Sequence, residues 1–251
     1  MTTIRDIMDF TESFAPLSAA ADFDNCGLLV GSPLASVSKV LLALDITPEV
    51  VAEAADMGAE LILSHHPVIF SPLRSLDTNS PAYLLAKNSL SALCLHTNLD
   101  IAEDTGVNIC LAEALKLENY TLHPEDFLVV GSLEKEVSVR EFAAFAKDAL
   151  GAVSVEFTLG DKSVKTVALS SGAGASSFEK AAALGADLLL TGEAKHHEFL
   201  ESKNSGIALM AAGHFATEDV VIAPLKEKLS KAFPEVSFIK STALKAPTEA
   251  V

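Results

Sequence analysis

The stretch EAADMGAELILSHHPV (residues 53–68) decides how this chain folds, because most of it recurs as KAAALGADLLLTGEAKHHEF (residues 180–199). Each copy runs from a helix into Gly-Ala-acid, then an apolar strand, then Ser or Thr, then a pair of histidines. The flanking segments repeat in the same order. VLLALDITPEVVAEAA matches TVALSSGAGASSFEKAAAL, and SALCLHTN (residues 91–98) matches GIALMAAGHFA (residues 206–216). Three matched segments at similar separations predict an internal duplication. Strand and helix patterns alternate throughout, which points to α/β units with mostly parallel pairing. Thr47 reads as an N-cap with Pro48 at the first helical position and Gly58 as the stop.

The rest of the chain completes two linked α/β domains with mixed sheets. We place the first over 1–125, with the SHHP and HTNLD motifs. The second covers 126–251, with TGEAKHHE and GHFATE, and its C-terminal helix packs back on the first domain. In the second, FLVVGSL reads as a strand. VSVREFAAFAKDAL reads as a helix with Ser138 and Glu141 as its capping box. VSVEFTLGDKSVKTVALS reads as a hairpin turning at Gly160-Asp161. TEDVVIAPLKEKLSKAFPE reads as one amphipathic helix, and the tail STALKAPTEAV (residues 241–251) as loosely held.

Composition narrows the function. The 251 residues carry a formal net charge of −16, which repels phosphate backbones and argues against nucleic-acid partners. A local cationic site would still attract a small anion. Three cysteines, none in a CxxC pair, suit a reducing compartment rather than a disulfide framework. The N-terminus lacks the apolar core of a signal peptide, and no run reaches a membrane-spanning length. A soluble, cytoplasmic protein is expected.

Two adjacent histidines in LILSHHPVIF pose the chemical question. In a strand, neighbours face opposite sides, so one ring would enter the core. Either the strand has ended by His65, or that spot requires two nitrogen ligands. Six of the seven histidines (His65, His66, His96, His196, His197 and His214) follow apolar strands, where parallel sheets gather their sites. LHTNLDIAEDTGVN adds Asp100, which has no obvious helix to cap and is read as a ligand. Asp104 is read as a cap for the helix that follows. In GHFATEDVV, His214 and Glu218 share a helix face at i, i+4, either as ligands or as a helix pair. SGAGASS (residues 171–177) is either a phosphate cradle or an ordinary strand-to-helix turn. Together His65, His66, Asp100, His214 and Glu218 offer three nitrogens and two carboxylates, enough for two divalent cations. Imidazole-rich ligation favours zinc, iron, manganese, nickel or cobalt over calcium or magnesium. The chain has no HExxH, GxGxxG, Walker A or GxSxG signature.

The motifs DNCGLLVG (residues 24–31), SHHP (residues 64–67), HTNLD (residues 96–100), TGEAKHHE (residues 191–198) and GHFATED (residues 213–219) span nearly the whole chain. In combination they resemble the Nif-three-like dinuclear metal-centre hexameric family, whose members carry the label GTP cyclohydrolase 1 type 2 homologue. The resemblance implies the same five ligands. His66 and Asp100 would serve one metal, His65 and His214 the other, with Glu218 bridging. It implies that His96, Glu193 and His197 line the cavity, where they support the ligands or carry protons. Asp24 and Asn25 would hold its wall. It implies two linked α/β domains assembled as a homohexamer, a trimer of dimers. Two functions stay open: a metal-dependent hydrolase on a phosphorylated or nucleotide-like substrate, and a metal-binding, storage or delivery protein without turnover.

Overall fold

A computed structural model describes residues 1–250, which form two compact units. The first comprises Met1–Thr105 and Ile222–Lys245. The second comprises Gly106–Val221 and residues 246–250. The division falls between Thr105 and Gly106, upstream of the boundary expected near residue 125. The reason is that the helix Val107–Ala114 buries Ile109, Leu111 and Ala112 in the core of the second sheet.

The first unit holds a five-stranded sheet made from β1 (Gly27–Val30), β2 (Lys39–Ala43), β3 (Leu61–Ser64), β4 (Ser91–Cys94) and, much later in the chain, β11 (Ser237–Lys240). Its order is β1-β4-β3-β2-β11. The pairs β11–β2, β2–β3 and β3–β4 are parallel, and β1 lies antiparallel on β4. The second unit holds β5 (Glu118–His123), β6 (Leu128–Ser138), β7 (Glu156–Phe157), β8 (Ser163–Ser170), β9 (Leu188–Thr191) and β10 (Ala208–Ala211). Their order is β5-β6-β8-β9-β10-β7, with β8, β9 and β10 parallel and the remaining pairs antiparallel. The α/β class with mixed sheets is as the sequence predicts.

The same four-strand arrangement occurs twice. A parallel trio, β2-β3-β4 or β8-β9-β10, ends in an antiparallel edge strand that precedes the trio in the chain. Helices Pro48–Asp56 and Pro81–Lys87 connect the first trio, and Phe178–Ala183 and His196–Ser205 connect the second. Strands β3, β4, β9 and β10 are buried at every residue, so they read as continuous apolar runs rather than alternating ones.

The duplication extends to single hydrogen bonds. Thr47 caps the helix Pro48–Asp56 through Val50 N–H, with Pro48 at its first position. After that helix Gly58 turns at φ +68°, and Ala59 N–H donates back to Ala54 O at 2.9 Å. In the second copy Gly185 turns at φ +83°, and Ala186 N–H donates to Ala181 O at 3.0 Å. Both are left-handed helix ends of the kind glycine favours. The acid of each Gly-Ala-acid motif then reaches back to the preceding strand. Glu60 accepts from Ser38 N–H at 3.1 Å and Lys39 N–H at 2.9 Å. Asp187 accepts from Lys165 N–H and Thr166 N–H, each at 2.9 Å.

Four elements depart from the sequence expectation. The predicted hairpin at Gly160-Asp161 does not form: both edges of β8 are taken by β6 and β9, and β7 pairs with β10. The true hairpin is β5–β6, turning through Pro124–Asp126 with Phe127 left-handed at φ 55°. The final amphipathic stretch breaks into helix His214–Glu218, a 3-10 turn Asp219–Val221 and helix Ile222–Ala232. Proline at 224 lacks the N–H that one continuous helix would need there. The tail is partly fixed. Glu53 accepts from Ser241 Oγ, Thr242 N–H and Ala243 N–H.

Because the two acid clamps are equivalent, Glu60→Ala and Asp187→Ala are each expected to weaken their own strand entry by roughly 1–3 kcal/mol. The measurement is amide exchange at Ser38 and Lys39 against Lys165 and Thr166, with each variant affecting only its own pair. Burial raises the Glu60 carboxyl pKa, but the donors at Lys39 and Ser38 outweigh this and hold it below its ordinary value. Its contribution is therefore present above the ordinary glutamate range and lost as pH falls through the lowered folded-state value. The Ser38 and Lys39 amides should lose protection on that acid side.

Candidate metal centre

The C-terminal ends of each parallel trio carry the chemistry. In the first unit Asp45 follows β2, His65 and His66 follow β3, and His96 follows β4. Ladder register places Ala43 beside Ser64 and Ser64 beside Cys94, so all three exits lie at one sheet edge. The backbone pairing continues past Ser64, since His65 N–H donates to Ala43 O at 3.3 Å and His66 N–H to Leu44 O at 2.9 Å. The two rings therefore diverge: His65 is 1% exposed, while His66 is half-buried. This resolves the adjacent-histidine question, because the buried member has its own polar partners.

Each of the three imidazoles is held by its Nδ1. His65 Nδ1–H donates to Leu95 O at 3.0 Å, His66 Nδ1–H to Asp45 Oδ1 at 2.7 Å and His96 Nδ1–H to Asp24 Oδ1 at 2.8 Å. An oxygen acceptor at Nδ1 selects the tautomer whose lone pair is on Nε2, which is how metal-binding histidines are prepared. One ring nitrogen from each lies within 4.8 Å of the other two, and the ring centroids are 5.0–5.5 Å apart. Burial lowers the His96 pKa, and the His65 and His66 rings add to this against the raising effect of Asp24. Burial thus favours the neutral form of the His96 ring.

Asp100 ends a short helical turn, Thr97–Asp100, and its Oδ1 stands 3.5 Å from His65 Nε2. Two ligand atoms each about 2.1 Å from one cation stand about 3.0 Å apart at a right angle and about 3.4 Å apart at the tetrahedral angle. His65 and Asp100 thus stand close to the spacing of two ligands on one cation, whereas the resemblance pairs Asp100 with His66. Asp104 does not cap the next helix, whose N-cap is Gly106. It accepts instead from Thr105 Oγ1 at 2.9 Å and pairs with Lys228.

Behind the trio, Asp24 has a fully buried side chain. Burial raises its pKa, but donors from His96, Thr97 (side chain and N–H) and Cys26 hold the carboxyl well below the usual carboxylate range. It stays ionised and fixes the His96 ring. Asn25 Nδ2 donates to Ile69 O at 2.6 Å, tying the loop that follows the histidine pair. This is the wall that DNCGLL was expected to form.

In the second unit the same register positions carry different residues. Gly172 follows β8, Gly192 and Glu193 follow β9, and Gly213 and His214 follow β10. His214 Nε2 lies 3.0 Å from Glu218 Oε2, and its Nδ1 lies 3.2 Å from Glu193 Oε1. A neutral imidazole can donate from one nitrogen only, so two facing carboxylates call for a proton or a cation at one of them. Gly172 is what brings the Glu218 carboxylate in: a Cβ there would stand 2.2 Å from Glu218 Oε1 and 3.3 Å from His214 Nε2. SGAGASS therefore packs on a carboxylate and is not a phosphate cradle. At Gly192 a Cβ would meet Gly172 O at 2.6 Å and Thr217 Oγ1 at 2.7 Å.

The structure thus brings together His65, His66, His96 and Asp100 in one unit, and His214, Glu218 and Glu193 in the other. The three imidazoles His65, His66 and His96 form one group that can hold a metal ion. His196 and His197 were matched in sequence to His65 and His66. They instead open the helix His196–Ser205 and are exposed. Among the described residues His197 makes no hydrogen bond or ion pair with His214, Glu193 or Glu218. The register counterparts of His65 and His66 are Gly192 and Glu193. Sequence reasoning missed Asp45, although an acid leaving the first strand of a parallel trio is the signal that marks it.

The sequence pattern of the family described as Duf34/NIF3 (NGG1p interacting factor 3) matches residues 2–247. A Clostridium perfringens protein named GTP cyclohydrolase 1 type 2 homolog is 35% identical over 260 aligned positions, covering 98% of each chain. Among solved structures, Staphylococcus aureus protein SA1388 is 28% identical at a TM-score of 0.93, covering 100% of this chain and 99% of that one. The structure titled reduced HcgD from Methanocaldococcus jannaschii is 29% identical at a TM-score of 0.80, covering 95% of this chain and 97% of that one.

Asp24→Asn exchanges a charged acceptor for an amide in a network of four donor residues, Asn25 (through its N–H), Cys26, His96 and Thr97. It should cost about 2–4 kcal/mol in urea unfolding and broaden the His96 imidazole resonances. Gly172→Ala combines positive φ with a collision at Glu218. It should be destabilising by more than about 2 kcal/mol and should displace the His214 ring signal, both read on the same sample.

Proposed function

The chain belongs to the Duf34/NIF3 family, and from that premise we propose that it binds two divalent metal ions per subunit and acts as a hydrolase. The proposed substrate is a small, phosphorylated or nucleotide-like anion. The observation that carries the reading is the set of three imidazoles, His65, His66 and His96, each held through Nδ1 by an oxygen acceptor. Such a set serves no purpose in ordinary packing, where one satisfied histidine suffices.

In this proposal His65, His66, Asp100, His214 and Glu218 are the metal ligands, and the ions are zinc, iron, manganese, nickel or cobalt. Bound ions would supply Lewis acidity and an acidified water. The protein's own groups would do the rest. Asp24 keeps the His96 ring oriented, so that its Nε2 can take up and return a proton. Glu193 holds His214 through Nδ1 and, with His197, completes the expected proton carriers. Two dications against two carboxylates leave the site net positive, which would draw an anion to a chain of net charge −16. The homohexamer, a trimer of dimers, belongs to the same proposal, as does the cytoplasm as its compartment. Among the described residues no helix is long and apolar enough to cross a membrane.

The alternative is a metal-storage or delivery protein, favoured by the strongly acidic balance, which suits cation traffic. Elemental analysis of the purified protein beside a His65→Ala, Glu218→Ala double variant separates the readings. About two transition-metal ions per chain, lost in the variant, is the expected result. A panel of phosphoesters, nucleotides (GTP among them) and amides then tests turnover. Loaded protein that turns over none of them, yet exchanges its metal freely, would favour delivery. No bound metal after reconstitution would overturn both.

A further inference from the structure

Of the 13 phenylalanines in the chain, two are exposed among the described residues: Phe23 at 69% and Phe70 at 51%. Both stand on segments that hold the imidazole trio. Phe23 immediately precedes Asp24, whose Oδ1 accepts from His96 Nδ1–H at 2.8 Å. Phe70 follows His66 in the connection from β3 to the helix Pro81–Lys87. One hydrogen bond ties the two segments together, Asn25 Nδ2 donating to Ile69 O at 2.6 Å. Phe70 adjoins the acceptor of that bond, and Phe23 lies just ahead of its donor. Phe10, Phe14, Phe233 and Phe238 pack on one another. Phe23 and Phe70, by contrast, contact no aromatic ring among the described residues. Within the trio the His65 side chain is closed to solvent, whereas His66 and His96 are reached by it. Each open imidazole is thus held by a segment that carries an exposed ring. Apolar surface kept in water at one place marks a binding surface.

We propose that Phe23 and Phe70 form the recognition surface for the base of a nucleotide whose phosphate is drawn to the metal centre. This rests on the anionic substrate proposed above and narrows it to one that carries an aromatic base. A purine or pyrimidine presents a flat π-face to a phenylalanine ring, and such stacking tolerates any base. A phosphorylated sugar without a base has no such face. The area does not suit a second copy of the chain. The two rings together expose little more than one whole aromatic side chain, roughly 200 Å². Leu73 and Leu76, exposed further along the same segment, about double this. The total is about half of the ~800 Å² per partner that a standard interface buries. A base with its sugar is an occupant of the right size.

The test is calorimetric titration of the zinc-loaded full chain with AMP and with ribose 5-phosphate. The two probes share a phosphate and a sugar and differ in the base. The expected result is AMP binding at least about tenfold tighter, as stacking on one or two rings gives. In Phe23→Ala, Phe70→Ala the AMP affinity should fall to that of ribose 5-phosphate, whose own affinity should not move. Each single variant should lose part of the preference. Because both rings are exposed, the variants should keep the wild-type urea midpoint. Equal binding of the two probes by the wild-type protein would overturn the stacking surface and leave the metal-centre reading standing. Binding of neither probe would overturn both. An AMP preference that survives in the double variant would overturn the proposal. So would a smaller assembly of that variant in light scattering, which would assign the rings to a contact between copies.

Discussion

A parallel strand covered on both faces must be apolar along its whole length, and this single constraint organises the molecule. Strands β3, β4, β9 and β10 have no exposed position at which a polar side chain could stand. Polar chemistry is therefore expelled to the ends. Parallel pairing aligns the ends that share a direction, so the residues just past Ala43, Ser64 and Cys94 emerge together. The histidine trio is a consequence of that ladder. Its members are far apart in sequence, and no loop had to fold specially to gather them.

The two copies kept their scaffold and changed their exits. The helix-ending glycines Gly58 and Gly185 and the acid clamps Glu60 and Asp187 are equivalent bond for bond. At the strand ends the first unit carries imidazoles on oxygen anchors, whereas the second carries glycines that let a short helix bring His214 and Glu218 close. Bulk was removed at Gly172 and Gly192 to admit a carboxylate. In this way one backbone plan presents nitrogen-rich chemistry in one unit and carboxylate-rich chemistry in the other.

Much of this was legible in the sequence, and for physical reasons. Continuous apolar runs, Thr47-Pro48, the Ser138–Glu141 capping box and the Gly-Ala-acid repeats act within a few residues, so local pattern exposes them. SHHP and HTNLD were visible because histidine is scarce and its placement after strands is not random. What stayed hidden depends on partners distant in the chain. Nothing local says that β7 joins β10 rather than β8, that VSFIK supplies a fifth strand, or that Asp104 turns to Lys228 instead of a helix. The match of His196-His197 to His65-His66 failed for a related reason. Sequence alignment followed the residue type, whereas the ladder counts positions from the strand end and lands on Gly192 and Glu193.

The discontinuity of the first unit bears on synthesis of the chain. Strand β2 is complete early, but its outer neighbour β11 is built from residues 237–240. On a ribosome the first sheet would wait with that edge unpaired while the whole of 106–221 is made. The second unit, whose sheet is contiguous in the chain, can close first. An open parallel edge rich in Val and Leu is a template for pairing with other nascent chains. The interval between translating Ala43 and Lys240 is thus the window in which this fold is most exposed to misassembly. Its length is set by the size of the inserted unit.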